Sequence, residues 1–188
     1  MPKKVIFSKE IVFNKAFEMF EKQGLDVITA RNLGKELKAS PAPIYSNYSS
    51  IDELKEELIT VAKNRFMEYI KRPFTDLEYL NIGMGICVFA RENKELFRSI
   101  FLREQSFTDI IRRFRDSVKA EIEKDERFTG LPVEFKDELL LDCWIFAHGY
   151  STLIATGFVE PTDEEIKERL MAGAGTILYK RLGELKKR

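Results

Sequence analysis

Cysteine and histidine are nearly missing from this 188-residue sequence, which has two of the first and one of the second. Two cysteines, Cys87 and Cys143, cannot build a disulfide scaffold or a four-cysteine zinc site, and one histidine cannot build a histidine-rich metal centre. No apolar run reaches the ~18 residues that span a bilayer. The opening Met1-Pro2-Lys3-Lys4-Val5 lacks the apolar stretch of a secretory signal. The expectation is a cytoplasmic protein with no membrane partner. Also missing are a glycine-rich phosphate loop and a G-x-S-x-G elbow, so the sequence offers no catalytic residues, metal ligands or cofactor motif and reads as a non-enzyme. Net charge is absent too: 31 basic and 31 acidic side chains cancel. That excludes a protein that sheathes nucleic acid with a broadly basic surface.

What is present reads as helix. Glycine and proline are sparse, β-branched residues do not alternate with polar ones, and apolar residues recur at spacings of three and four. The periodicity predicts an all-α chain of about nine helices. A first helix runs from about Ser8 to Lys22 with an inward stripe of Ile11, Val12, Phe13, Ala16, Phe17 and Phe20, ended by Gly24. Thr29 caps a short second helix and Ser40 a short third one that opens Pro41-Ala42-Pro43. Capping boxes at Ser50–Glu53, Thr75–Glu78 and Thr162–Glu165 start helices to about Lys71, Glu92 and Lys186. Between the last two boxes, helices are expected over 94–102, 106–124 and 134–156.

The neutral total hides an asymmetry. Residues 1–48 hold eight basic and five acidic side chains, a net of +3, which the rest of the chain balances. A basic N-terminal part suggests an anionic partner. The pair of short helices 30–37 and 41–48, joined by about three residues, forms a helix-turn-helix pattern. The start of its second helix is poor in large apolar residues and offers Pro41, Ala42, Ser46 and Asn47 outward. Arg31, Lys35, Lys38 and Tyr45 flank it with groups that can reach phosphate.

Over Ile11 to Leu58 the sequence resembles the DNA-binding domain of TetR-family transcriptional regulators. The resemblance rests on Met19-Phe20, Gly24, Thr29, Arg31, Leu33-Gly34, Ala39-Ser40, Ile44-Tyr45, Tyr48 and Ser50-Ile51-Asp52-Glu53-Leu54. It implies a helix-turn-helix domain at 1–50 and a helical ligand-binding and dimerisation domain at 51–188. It also implies a double-stranded DNA operator, a small-molecule effector and a homodimer as partners. Thr29 and Arg31 would then meet phosphates, with Lys38 on the flank. Pro41, Ala42, Tyr45, Ser46 and Asn47 would face the major groove or its rim, with Tyr45 donating to a phosphate and Asn47 able to read an adenine edge. The sequence departs from the family at Lys38, where Gly is usual, and at Ile51, where Lys is common. Ile51 cannot bind a phosphate, and Lys55 one turn on can do so in its place. These two departures favour the alternative, an all-helical partner-binding module that no longer binds DNA. Tyr48 reads as a packing aromatic.

In the second half, an apolar or aromatic ligand is expected among helices 76–156, with Phe89, Phe114, Trp144 and His148 as wall candidates. Cys87 and Cys143 read as buried, inert thiols, and Arg112, Arg113 and Arg115 as a solvated face. The last two long helices are expected to pair with those of a second copy through Tyr150, Leu153, Ile154, Leu170, Gly173, Ala174 and Ile177. The run Ala172-Gly173-Ala174-Gly175 would let helices approach closely at that seam.

Overall fold

The computed structural model describes residues 7–103, 119 and 128–185, and every regular element among them is helical. The helices are α1 (Lys9–Gln23), α2 (Ala30–Glu36), α3 (Ala42–Tyr45), α4 (Ile51–Tyr69), α5 (Glu78–Glu92), α6 (Lys94–Phe101), α7 (Val133–Ala155), α8 (Asp163–Leu170) and α9 (Thr176–Leu185). A 3-10 turn covers Leu25–Val27 and a π-helical turn covers Met171–Gly175. The helix expected over 106–124 lies outside the described residues except for Lys119. So do Phe107, Phe114, Arg112, Arg113 and Arg115. Contacts divide the described chain into two units, 7–64 with 95–103, and 65–94 with the remainder.

In the first unit α1, α2 and α3 pack against one another around Val12, Ala16, Phe20, Leu33 and Ile44, all fully buried. Phe17 stacks on Phe13 and meets Phe20 edge-on, at 5.9 and 6.0 Å between ring centroids. Ile11, placed in the inward stripe by periodicity, is 47% exposed. Val12, one residue on, holds the inward position, and a 100° step carries Ile11 to the rim. Gly24 ends α1 at φ 84°, and its N–H donates to the Phe20 carbonyl at 2.9 Å. Within the same unit Arg103 pairs with Asp26, and Leu96, Phe97 and Ile100 of α6 are buried.

The expected caps divide into those that form and those that do not. Thr29 and Ser50 accept from the backbone N–H of Asn32 and Glu53, each at 3.1 Å, and Ser8, for which no cap was expected, does the same for Ile11 at 3.3 Å. The Glu53 carboxylate, however, takes the N–H and hydroxyl of Ser49, at 2.7 and 2.6 Å, so the reciprocal arm of that box lands one residue early. Ser40 does not cap α3. Pro41 occupies the cap position and makes no side-chain bond there. Thr75 does not cap α5, whose cap position belongs to Leu77. Its N–H and hydroxyl instead donate to Oδ1 of the buried Asn81, at 2.7 and 2.9 Å, and Asn81 Nδ2 returns a bond to the Thr75 carbonyl at 2.9 Å. A buried amide with both ends satisfied fixes the loop better than an exposed hydroxyl would.

The second unit is built on α5, which packs against α7 and α8. Phe89 of α5 receives the rings of Phe66 and Tyr69 edge-on, each at 5.3 Å. Gly85 makes this approach possible, because a Cβ there would sit 2.6 Å from Ile70 Cα and 2.8 Å from Ile70 N. The capping box Thr162–Glu165 forms in full. The one long helix expected after it runs from Asp163 to Leu185 with a π-helical turn at Met171–Gly175 inside it, the backbone staying right-handed at Leu170, Met171 and Thr176. A Cβ on Gly173 would fall inside the ring of Phe146.

Candidate nucleic-acid interface and apolar cavity

The turn after α2 is closed by two backbone bonds. Ala39 N–H donates to the Gly34 carbonyl at 2.9 Å, and Lys38 N–H to the Lys35 carbonyl at 3.0 Å. This is the Schellman pattern, whose C′ residue must be left-handed. Lys38 holds that position at φ 53°, alone among the described non-glycine residues. A side chain there carries about 1–2 kcal/mol of strain. Gly34 lets the chain double back, since a Cβ on it would lie 3.1 Å from the Ala39 carbonyl oxygen and 3.4 Å from Pro41 N. The closed turn sets α3 against α2.

Charge falls unevenly over this unit. Lys9 pairs with Glu57 at 2.8 Å, and Lys15 and Lys22 both hold Glu18, at 2.6 and 2.8 Å. Arg31, Lys35 and Lys38 are exposed and make no ion pair with the described residues. Three cations without ion pairs among the described residues thus stand on α2 and the turn, beside α3, with Glu36 the one acid on the same helix. Thr29, whose hydroxyl oxygen caps α2, is exposed at the same end as Arg31.

On α3, Pro41, Ala42, Tyr45 and Ser46 are exposed, Tyr45 by 56%, while Ile44 and Tyr48 are buried. Ser46 donates its hydroxyl hydrogen to the Pro43 carbonyl at 2.9 Å. Tyr48 packs inward with Lys9 Nζ 4.8 Å over its ring, and burial pushes its phenol above the ordinary range. Lys55 is half-buried on α4, one turn beyond the half-buried Ile51.

Asn47 is turned into the fold. Its Nδ2 donates to the Phe7 carbonyl at 3.0 Å and the Pro43 carbonyl at 2.7 Å, tying the segment before α1 to the end of α3. An amide so engaged is a staple first, and donating to an adenine N7 would require at least one of these bonds to be given up. Asn47→Ala is expected to destabilise the protein by about 1–3 kcal/mol in urea unfolding, the cost of stranding partly buried acceptors. Unchanged stability with relaxed discrimination at one base pair would return Asn47 to the role of a base reader.

Within the second unit, α5, α7, the end of α8, the π turn and α9 line an apolar cavity of about 190 Å³ that opens to solvent beside the exposed Met171 and Tyr179. Its wall includes Leu80, Ile86, Leu140, Trp144, Leu178 and Tyr79, and no charged side chain lines it among the described residues. Of the expected wall residues, Trp144 is in place. His148 stands behind it, edge-on to the indole at 5.2 Å, with its pKa lowered by burial. Phe89 lies in the core between Phe66 and Tyr69, and Phe114 lies outside the described residues. Tyr79 is not singled out by its sequence context. The spacing Tyr79, Ile82, Gly83, Ile86 puts it on an apolar helix face, a place where tyrosine reads as ordinary core. The thiols are buried as expected, and burial pushes Cys87 up to about 12 and Cys143 in the same direction.

The residues expected at a seam between copies divide as well. Ile154 and Leu170 are buried within the chain, Leu170 against Gly83 and in the cavity wall. Ala174 lines the same cavity, and Gly173 lies under Phe146. Tyr150 and Ile177 are half-buried and Leu153 is exposed. The open apolar side of α7 is carried by Leu141, Ile145 and Leu153, with Gly149 on the same side facing open space.

No family model and no curated protein matches the sequence. Among solved structures, the chain is similar to one described as "Putative TetR transcriptional regulator from Rhodococcus sp. RHA1", at 18% identity and a TM-score of 0.41, over 90% of this chain and 98% of that chain.

Proposed function

We propose that this chain is a TetR-type DNA-binding transcriptional regulator. It acts as a homodimeric repressor, released from a palindromic operator when a small apolar or aromatic molecule occupies the cavity of its C-terminal helices. One observation carries the reading: a helix-turn-helix whose second helix shows only small or hydrogen-bonding side chains outward, bordered by three cations without ion pairs among the described residues. Small outward residues let the α3 backbone approach base edges, where Ala42 can meet a thymine methyl. Thr29, Arg31, Lys38, Tyr45 and Lys55 supply phosphate contacts that fix the register of the helix in the groove. Pro41 and Ser46 lie at the groove rim.

Induction requires the ligand to prefer a conformation in which the two copies of α3 no longer match their half-sites. Helix α4 runs without interruption from Ile51 to Tyr69 and so can carry such a shift along the chain.

Site selection from random DNA followed by gel shift tests the proposal. The selected site is expected to be an inverted repeat, with half-sites one helical turn or a multiple apart. Arg31→Ala should weaken binding to all sequences alike and reduce the salt slope by about one. A site without inverted symmetry refutes this binding mode. Absence of any selected site favours the partner-binding module, to which the strained Lys38 and the uncharged Ile51 also point.

A further inference from the structure

The apolar cavity contains one buried hydroxyl with no oxygen or nitrogen acceptor among the described residues, only the Cys143 sulfur beside it. That hydroxyl is Tyr79 Oη. The Cys143 thiol lies beside it, and sulfur is a weak acceptor that a ligand oxygen readily outcompetes. The Tyr79 ring is fixed against Phe128 at 5.4 Å between centroids, so the hydroxyl is held in one place. Burial pushes its phenol well above the ordinary range, which keeps it a donor at every physiological pH. The cavity, about 190 Å³, is larger than the ~150 Å³ apolar cavity that admits benzene. A carboxylate or ammonium would find no counter-charge in its described wall, and an unpaired charge is not carried into such a space.

We infer that this cavity takes an uncharged, single-ring-sized apolar molecule carrying one hydrogen-bond acceptor, and that Tyr79 donates to that acceptor. The inference rests on reading the cavity as the effector site, and deepens that reading by naming the chemistry recognised.

Calorimetric titration of the full chain with acetophenone, ethylbenzene and benzoate tests it. Acetophenone supplies ring and acceptor, ethylbenzene lacks the acceptor, and benzoate adds a charge. Acetophenone is expected to bind most tightly and benzoate at least tenfold more weakly. Tyr79→Phe should lower acetophenone affinity about five- to tenfold, the effect of one neutral hydrogen bond, and leave ethylbenzene affinity unchanged or improved. The variant keeps the ring, so its melting temperature should stay level or rise, and a fall would mean that the hydroxyl has a protein partner and would overturn the inference. Equal losses for both probes, no loss for either, benzoate binding as well as acetophenone, or no probe binding at all would each overturn it too. A gel shift on the selected operator separates this from the functional reading. Acetophenone binding that leaves operator affinity unchanged removes the effector role and leaves the ligand class standing.

Discussion

Gly85→Ala is expected to lower the stability of the protein by about 3 kcal/mol, although alanine is the better helix former by about 1 kcal/mol. The sign is set by what the added methyl meets. A Cβ at position 85 would lie 2.6 Å from Ile70 Cα and 2.8 Å from Ile70 N, and would also collide with the Tyr69 carbonyl. Backbone cannot turn aside as a side chain can, so α5 must back away from the end of α4 and loosen the Phe66–Phe89–Tyr69 cluster. Gly183→Ala provides the control, because a Cβ there meets nothing within 4 Å. That substitution should stabilise by about 0.5–1 kcal/mol through helix propensity. Urea unfolding of both variants checks the pair, and a Gly85→Ala protein as stable as the wild type would contradict this packing of α5 on the end of α4.

On the proposed function, Ile145→Glu should abolish specific DNA binding while barely changing the stability of an isolated chain. Ile145 is 61% exposed and Leu141 58% exposed on the same side of α7, which is an unusual use of large apolar side chains unless a second copy covers them. A polar residue at an exposed position changes monomer stability by less than about 0.5 kcal/mol. At a dimer seam the same residue would bury an unpaired charge on both sides of the two-fold axis. Dissociation leaves each chain with one recognition helix, and affinity should fall by about a thousandfold or more toward the non-specific level. Sedimentation and gel shift on one preparation check both parts. A wild-type chain that stays monomeric at micromolar concentration, or a variant that stays dimeric, counts against this face as the seam.

Much of the helix-turn-helix is legible in the sequence because its signals are local. Thr29 and Ser50 cap where their side chains predict, since each acts on a backbone N–H three residues away. The left-handed Lys38 is legible only through the family resemblance, which has Gly at that position. The role of Asn47 is not, because one of its acceptors, the Phe7 carbonyl, lies 40 residues away in sequence. Thr75 shows the same limit. Its spacing to Glu78 fits a capping box, yet the buried Asn81 competes for the loop and wins.

In the second half, composition and the 3.6-residue period determined that the chain would be helical and where its apolar faces run. They did not determine what those faces would meet. Leu170, Gly173 and Ala174 read as a seam for another copy, yet Leu170 and Ala174 line a cavity of their own chain and Gly173 lies under its Phe146. An apolar stripe is the same in sequence whether its partner is a neighbouring helix, a second copy or a ligand, because burial of apolar area is non-directional. The tertiary structure alone decided what each face meets within its own chain. It did so by placing Gly85 against backbone, leaving Ile145 open and holding the Tyr79 hydroxyl where no acceptor oxygen among the described residues reaches it.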